Sequence, residues 1–252
     1  MSSTSNSSMP DMTDISPKWI QGIPTSPNEP AWSIYDSVIK DTVRAYDKQL
    51  QGQGRYPPLD WLLIKAMCWT ETGAGAPEWK TRPAQIGNTG DLGLQELLSR
   101  KPQYDLLIPP EYRTNGPKSL TFTSVRTDPV ANIRAGVGYL LLGAASFSYQ
   151  SIQDGDKSLY HHKVVRGDSF GRIGKIERTT IEELGRDNPA LVGRSLTLGQ
   201  DVQFRKASKR WVLISIRPLT PYQAALAYNT RSVDEYTKKM TYCLWILNGG
   251  KA

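Results

Sequence analysis

The most informative segment of this chain is Asp60-Trp-Leu-Leu-Ile-Lys-Ala-Met-Cys-Trp-Thr-Glu-Thr-Gly73, which follows the pair Pro57-Pro58. Asp60 is the type of residue that caps a helix start, and the spacing after it predicts a helix from about Asp60 to Thr72. The buried side of this helix is expected to consist of Leu63, Ile64, Met67 and Cys68. Glu71 comes seven residues after Ile64 and three after Cys68, so it lies at the end of this apolar side.

The stretch after this helix, Gly73 to Gly93, contains five glycines and two prolines, which excludes a regular helix. We expect a loop or a small irregular sheet that lies over Glu71. Desolvation under such a cover raises the pKa of a carboxyl group, and a carboxylic acid that stays protonated near neutral pH is suited to general acid catalysis. By sequence position alone, a helix end in solvent is the better interpretation of Glu71.

Two further helices are predicted on either side of this region. The first falls within residues 31–50, where Ile39, Val43, Tyr46 and Leu50 recur at helical spacing. The second begins at Asp128-Pro129, an N-cap followed by proline at the first helical position. Its helical stretch contains Gly136, Gly138 and Gly143, which lower helix propensity and so indicate close packing against a neighbour.

The end of the chain carries two more helix starts. Thr220 to Gln223 and Ser232 to Glu235 each match the reciprocal capping box, in which two side chains satisfy each other's backbone donors. The final helix is expected to bury Val233, Tyr236, Met240, Leu247 and either Cys243 or Leu244. Both cysteines thus fall on apolar faces, which favours two free core residues over a disulfide.

Between these helical regions the pattern predicts a compact β-α-α-β unit. Its strands are expected at 162–166 and 201–204, and its helices at 169–176 and 180–186. Predicted helical segments flank this unit on both sides, so we expect it to be an insertion. The expected fold class is α+β, mainly α. The predicted organisation is a disordered leader (1–30), a first helical part (31–159), the inserted unit (160–208) and a second helical part (209–252).

The inserted unit resembles the LysM domain, a module that binds cell-wall polysaccharide. The likeness rests on residues 162–170, on Ile173 with Gly174, on Thr179 to Leu184, on Asn188-Pro189 and on residues 198–204. The resemblance implies that N-acetylglucosamine units lie in a shallow groove between two loops. Those loops contain Gly167, Asp168, Ser169, Phe170, Asn188, Pro189, Ala190 and Leu191.

The helical parts resemble the lysozyme-like fold of the soluble lytic transglycosylases. Three segments carry this likeness in the family's order: Ile64 to Gly73, Gly90 to Leu97 and Ala224 to Asn229; residues 128–140 fit a fourth. The resemblance implies a peptidoglycan muramidase in which Glu71 is the catalytic acid, and Tyr228 and Asn229 hold the muramoyl unit. It also implies that the ligand cleft is lined by Gly93, Leu94, Gln95 and Glu96, with Trp79 as the candidate for stacking on a sugar ring.

The reaction has two possible outcomes at this site. A lytic transglycosylase uses one glutamate as acid and then as base, whereas an inverting lysozyme needs a second carboxylate to activate water. Asp91 is the first candidate for that second carboxylate, with Glu96 and Glu78 behind it, although an aspartate in such a loop is more typical of a turn than of a base. The sequence leaves hydrolysis and transglycosylation open.

A non-catalytic wall-binding protein on a degenerate scaffold is a further alternative, because Gln95-Glu96 departs from the family's Met-Gln order.

Composition limits the remaining possibilities. The chain has 252 residues, two cysteines, two histidines and a formal net charge of +7, and its pI of 9.3 favours an anionic partner. With so few cysteines and histidines we expect no metal and no cofactor, and no apolar run reaches the ~18 residues of a membrane span. A nucleic-acid partner is not expected, because no recognised motif accompanies the charge.

We expect a monomer whose partner is the glycan strand of peptidoglycan. Residues 1–30 lack the pattern of a secretory signal. The expected site of action is the periplasm, reached from the cytoplasm by type VI secretion into a rival cell or by phage lysis. The first route implies a secretion-apparatus component and an immunity protein as further partners.

Overall fold

The structure, a computed structural model, describes residues 8–99, 101–229 and 231–250. About 49% of the chain is helical and 12% is strand, which confirms the α+β, mainly α class. The chain divides into two compact units, the first formed by residues up to Ser146 and from Leu213 onward, the second by Phe147–Val212. Across the described ranges, no helix combines the length and apolarity needed to cross a membrane.

The helices, in chain order, are α1 (Pro17–Gly22), α2 (Pro30–Ser33), α3 (Asp36–Leu50), α4 (Trp61–Glu71), α5 (Leu92–Leu97), α6 (Phe122–Thr127), α7 (Pro129–Ala144), α8 (Phe170–Glu177), α9 (Ile181–Asp187), α10 (Pro221–Tyr228) and α11 (Val233–Leu247). The strands are β1 (Ala145–Gln153), β2 (Tyr160–Lys163), β3 (Asp201–Phe204) and β4 (Ala207–Ile216). Short 3-10 helices form at Pro77–Lys80, Pro102–Leu106, Pro110–Tyr112 and Pro189–Leu191.

Helix α4 lies at the centre of the first unit. Its residues from Leu63 to Trp69 are all buried, and the Asp60 side chain caps it by accepting from the Leu62 amide at 2.9 Å. The predicted limits and buried residues of this helix are therefore confirmed. Buried Lys65 pairs with Asp36 of α3 at 2.8 Å, which neutralises its charge inside the core. Helix α11 packs along α4, and α10 packs against both α11 and α7.

The glycines of α7 allow the predicted close packing. A Cβ at Gly136 would stand 2.6 Å from the Ala84 Cβ, and one at Gly138 would stand 2.5 Å from the Tyr46 hydroxyl. At Gly143 it would meet the Ala227 backbone oxygen of α10 at 2.7 Å. A larger side chain at these positions would push α7 away from the loop at Ala84, from α3 and from α10.

The expectation of a disordered leader over residues 1–30 is wrong for residues 8–30, while residues 1–7 lie outside the described residues. Met12, Ile15 and Ile23 are buried, and the Trp19 ring lies 6.2 Å from that of Tyr242 in α11. Burial of this widely spaced apolar set offsets the loss of chain entropy. The Ser- and Pro-rich composition concealed these contacts, because Met12, Ile15 and Ile23 each stand alone in the sequence.

Both predicted capping boxes near the end of the chain need correction. Thr220 caps α10 by accepting from the Gln223 amide at 3.2 Å, but the Gln223 side-chain oxygen has no hydrogen-bond partner among the residues that the structure describes. Ser232 makes no side-chain cap, and Glu235 pairs instead with Lys239 one turn along α11. The prediction for Cys68 and Cys243 is confirmed: both are buried and free.

The second unit contains the predicted β-α-α-β order. Strands β2 and β3 pair antiparallel, with Tyr160 opposite Phe204 and Lys163 opposite Asp201. Its core consists of Val164, Ile173, Leu184, Val202 and Phe204. The first strand, expected at 162–166, ends at Lys163, because the Val165 amide donates to the Asp168 carboxylate and Gly167, at φ +87°, turns the chain.

The second unit is wider than the predicted insert of 160–208. Strand β1 was not predicted; it pairs with β4, and the compact unit consequently runs from 147 to 212. Within that unit, β1 is joined to α9 by hydrogen bonds between Ser151 and Thr180 and between Gln153 and Glu183, the latter replacing a capping box at Thr180. Pairing with a strand more than fifty residues away leaves no local signal, which explains the missed element.

Candidate functional site

The candidate site forms around Glu71, the last residue of α4. The next residue, Thr72, fastens the following loop to the helix end, since its hydroxyl donates to the backbone oxygens of Arg82 and Pro83 at 3.1 and 2.9 Å. Gln85 adds a hydrogen bond to the Thr72 hydroxyl at 3.2 Å. The loop is therefore an ordered cover held by polar contacts, and the irregular sheet considered as an alternative is absent from its described residues.

Burial raises the pKa of Glu71 from 4.5 to about 7. The Tyr236 hydroxyl and the Lys239 charge, both on α11, act in the opposite direction, and they are smaller effects. Glu71 nevertheless keeps partial contact with solvent. The site thus combines a carboxyl group that holds its proton near neutral pH with access from outside.

Tyr228, at the end of α10, lies within electrostatic range of Glu71. Its hydroxyl donates to the Ala84 backbone oxygen in the cover loop, and its ring meets that of Tyr139 edge-on at 5.5 Å. Burial, and then the negative charge of Glu71, raise the pKa of Tyr228 well above 10, so the phenol stays neutral. Asn229 follows as the half-buried C-cap residue, and its side-chain oxygen accepts from the Arg231 amide at 3.3 Å.

Both carboxylate oxygens of Asp91 accept hydrogen bonds from backbone amides. Its Oδ1 accepts from the Gly93 and Leu94 amides at 2.7 and 3.2 Å and caps α5, while Oδ2 accepts from the Gly87 amide at 2.5 Å. Both oxygens of this carboxylate are engaged by backbone amides, so Asp91 shapes the chain at the start of α5 and is not placed to activate a water molecule. The turn interpretation of Asp91 therefore fits better than that of a second catalytic carboxylate.

The other residues expected along the cleft fall into different environments. Gly93 lies against Tyr139, since a Cβ there would stand 2.8 Å from the ring, whereas Leu94 is fully buried and belongs to the core. Gln95 is exposed. Glu96 binds Lys101 and Tyr104, and these hydrogen bonds lower its pKa. Gly93 is thus the member of this group that contacts the Tyr139–Tyr228 pair.

Trp79 is not a ligand-stacking residue. Only 3% of it is exposed, its Nε1 donates to the Ala31 backbone oxygen at 3.2 Å, and its ring packs against Trp32 and Tyr35. The loop places this side chain inward, where it joins the packing of the amino-terminal helices onto α4. The sequence marked the loop correctly, but it carried no signal for the direction of the side chain.

Two cavities of the first unit lie apart from Glu71. One, of about 710 Å³, borders the end of α5 and is lined by residues that include Leu97, Tyr104 and Phe122. The other, of about 480 Å³, lies between Arg44 and Pro58 at the end of α3. The larger one shares Tyr104 with the Glu96 cluster, so it adjoins the α5 side of the site.

In the second unit the predicted glycan-binding residues divide into two groups. Gly167, Ser169, Pro189 and Ala190 are exposed. Phe170 and Leu191 pack against the core, and the carboxylate of Asp168 and the amide of Asn188 turn inward. Asn188 joins α9 to β3, bonding the Leu184 and Gln203 backbone oxygens at 2.8 and 2.6 Å and the Gln203 amide at 2.9 Å.

Asp168 forms part of a charged cluster that sequence reasoning missed. His162 is clamped between Asp168 at 2.9 Å and Glu177 at 2.8 Å, and these hydrogen bonds raise the pKa of His162. Asp168 also binds the Val165 amide and faces Arg172 at 3.6 Å. The cluster stabilises the turn at Gly167, so the contribution of Asp168 is to shape the loop.

Comparisons with protein-family models, with curated proteins and with solved structures found no match for this chain. Among the residues described, no group of three or more His, Cys, Asp or Glu side chains is arranged to hold a metal ion. The groups at the site itself are the Glu71 carboxyl and the phenols of Tyr228 and Tyr236.

Proposed function

We propose that this protein is a peptidoglycan muramidase that cleaves the β-1,4 bond between N-acetylmuramic acid and N-acetylglucosamine. The observation that carries the proposal is the Glu71 carboxyl, whose pKa is raised by burial to about 7 while the residue remains accessible from solvent. Cleavage of a glycosidic bond requires a proton for the leaving oxygen as positive charge develops on the sugar ring. A carboxylic acid that is about half protonated at neutral pH serves as that donor.

The environment of Glu71 favours a lytic transglycosylase over an inverting hydrolase. Asp91, the first candidate for a water-activating carboxylate, is held by three backbone amides, and Glu96 is paired with Lys101 and Tyr104. In the transglycosylase route Glu71 gives its proton to the leaving N-acetylglucosamine oxygen. The resulting carboxylate then takes the proton of the muramoyl C6 hydroxyl, whose oxygen closes onto C1, so no second carboxylate is needed.

The second unit supports the same substrate. Its exposed loop residues Gly167, Ser169, Pro189 and Ala190 offer backbone groups, a hydroxyl and small apolar surfaces, which suit acetamido sugars. We propose that this unit holds a glycan strand as a LysM domain does. Because peptidoglycan lies outside the cytoplasmic membrane, the proposed action takes place in the periplasm, as expected of an antibacterial effector or an endolysin.

The test is digestion of purified sacculi followed by mass spectrometry of the released muropeptides. The wild-type protein should release products ending in anhydro-muramic acid, and Glu71→Gln should release at least ~10²-fold less, because the proton donor is lost. Glu29→Gln is the matched control and should keep full activity, because Glu29 is an exposed glutamate before α2 whose side chain makes no cap hydrogen bond. Reducing ends, heavier by one water, would indicate a hydrolase instead.

Two results would contradict the proposal. Glu71→Gln with wild-type activity would remove Glu71 from the chemistry. Wild-type protein that sediments with sacculi but releases no muropeptides would favour the non-catalytic wall-binding alternative, for which the exposed Gln95 and the paired Glu96 are the structural motivation.

A further inference from the structure

Tyr236 is the side chain around Glu71 that the proposed chemistry has not yet used. It belongs to α11, is 5% exposed, and its hydroxyl has no hydrogen-bond partner within the described chain. The hydroxyl lies beside the Glu71 carboxyl without completing a hydrogen bond of normal geometry. A buried hydroxyl without a hydrogen-bond partner lowers the stability of the folded protein, so its presence at this position indicates a role other than packing.

The packing of α4 and α11 places Tyr236 on the face that meets the catalytic helix. Thr70, next to Glu71, contacts Cys243 of α11, with 3.8 Å between the Thr70 hydroxyl and the cysteine sulfur. Cys243 comes seven residues after Tyr236, and residues seven apart share one face of a helix. Tyr236 is thus held by rigid elements rather than by a loop.

The other groups that face Glu71 are already engaged or neutral. Lys239 binds Glu235 at 2.5 Å and lies over the Trp19 ring, and Tyr228 donates to the Ala84 backbone oxygen. Cys68, on α4 itself, is buried, and burial with the Glu71 charge raises the pKa of its thiol. Tyr236 is the donor in this group whose hydrogen is uncommitted.

We infer that Tyr236 is a positioning residue, whose hydroxyl lacks a hydrogen-bond partner in the resting state and donates to the Glu71 carboxylate once Glu71 has given up its proton. The inference rests on the proposed function, because the ionised carboxylate is the product of that proton transfer. The hydrogen bond would stabilise the carboxylate as it forms and hold one oxygen, which leaves the other oxygen facing the substrate.

The first experiment measures the Glu71 titration directly, by carboxyl ¹³C NMR of glutamate-labelled protein, with Glu71→Gln identifying the resonance. Tyr236→Phe should raise the Glu71 pKa by about one, a tenfold change in the protonation equilibrium, because a donor to the charged form is lost. Tyr242→Phe is the matched control: Tyr242 is on the same helix and equally buried, but its ring packs on Trp19 and Trp245. It should leave the pKa unchanged.

A second variant makes the test independent of any damage to folding. Site-specific replacement of Tyr236 by 3-fluorotyrosine keeps the shape and makes the phenol a stronger donor, so the Glu71 pKa should fall, opposite to the effect of phenylalanine. If the pKa is unmoved by both substitutions, Tyr236 has a packing role alone and the inference is overturned.

Activity supplies the second readout. On sacculi, Tyr236→Phe should lower kcat about tenfold, leave KM within about twofold, and move the alkaline limb of the pH profile upward with the Glu71 pKa. An unchanged pH profile with reduced kcat would count against the inference. Wild-type protein without any cleavage would defeat the proposed function, whereas the NMR titration would still decide whether Tyr236 acts on Glu71.

Discussion

At the scale of single residues, Glu71 joins the proposed chemistry to the stability of the fold. Its pKa is 4.5 in an ordinary environment and about 7 in the folded protein. Between these two values the unfolded chain releases a proton that the folded protein keeps, so the free energy of unfolding falls as the pH rises. Below 4.5 both states hold the proton, and above about 7 both have lost it, so the loss of stability is then complete.

Glu71→Gln should therefore stabilise the protein in alkaline solution alone. We expect a gain of roughly 1–3 kcal/mol in the free energy of unfolding at about pH 8.5 and none at about pH 4, since glutamine has no charge to bury. Urea denaturation at the two pH values measures this. Glu78→Gln should show no such difference, and an equal effect of Glu71→Gln at both pH values would mean that its burial is not electrostatically unfavourable.

The residues around Glu71 show which features of the site can be predicted from helical spacing in the sequence and which cannot. The helical spacing placed Glu71 at the apolar end of α4 correctly, and Tyr228 was assigned to the same site. Tyr236 was counted as a core residue, because its spacing from Met240 and Leu247 describes a buried face equally well. A hydrophobic period identifies which side of a helix is buried, but it carries no information about which hydroxyl on that side lacks a partner.

At the scale of elements, the caps decide where helices begin. Asp91 accepts three backbone amides at the start of α5, the helix that contributes Gly93 to the site. Asp91→Ala should lower the free energy of unfolding by about 1–2 kcal/mol, because these donors lose their acceptor. Asp91→Asn keeps the cap at α5 and should be milder, as measured by urea denaturation.

The same pair of variants separates the structural role of Asp91 from a catalytic one. Asp91→Asn should keep muropeptide release within about tenfold of wild type, whereas loss of a catalytic base typically costs 10²–10⁴-fold. Asp128→Asn is the matched control, since Asp128 caps α7 through the Val130 amide at 2.9 Å. A much larger loss for Asp91→Asn than for Asp128→Asn would restore Asp91 as the second carboxylate.

At the scale of the whole molecule, the chain builds two separate cores. Ile173 is fully buried in the core of the second unit, and Ile133 is fully buried in α7 of the first. Either residue changed to alanine should cost about 2–5 kcal/mol, because a cavity replaces a packed side chain. The two losses should affect different functions of the protein.

Ile173→Ala should weaken sedimentation with sacculi and preserve cleavage of soluble glycan fragments, whereas Ile133→Ala should reduce cleavage. Parallel binding and cleavage assays below the unfolding temperature of both variants measure this. Loss of cleavage in Ile173→Ala to the same degree as in Ile133→Ala would show that the second unit is required for the chemistry itself.

The sequence by itself determined helices α3, α4 and α7 to α11, most of their N-caps and the β-α-α-β order, because capping and helical periodicity act over a few neighbouring residues. Asp60, Asp128 and Thr180 each bind an amide two or three residues ahead, which a linear reading detects. The packing of residues 8–30, the inward turn of Trp79 and the pairing of β1 with β4 were decided by tertiary structure. The same holds for the protonation of Glu71 and the unpartnered hydroxyl of Tyr236. Each of these depends on groups far apart in the chain that meet, and exclude water, only once the helices have packed.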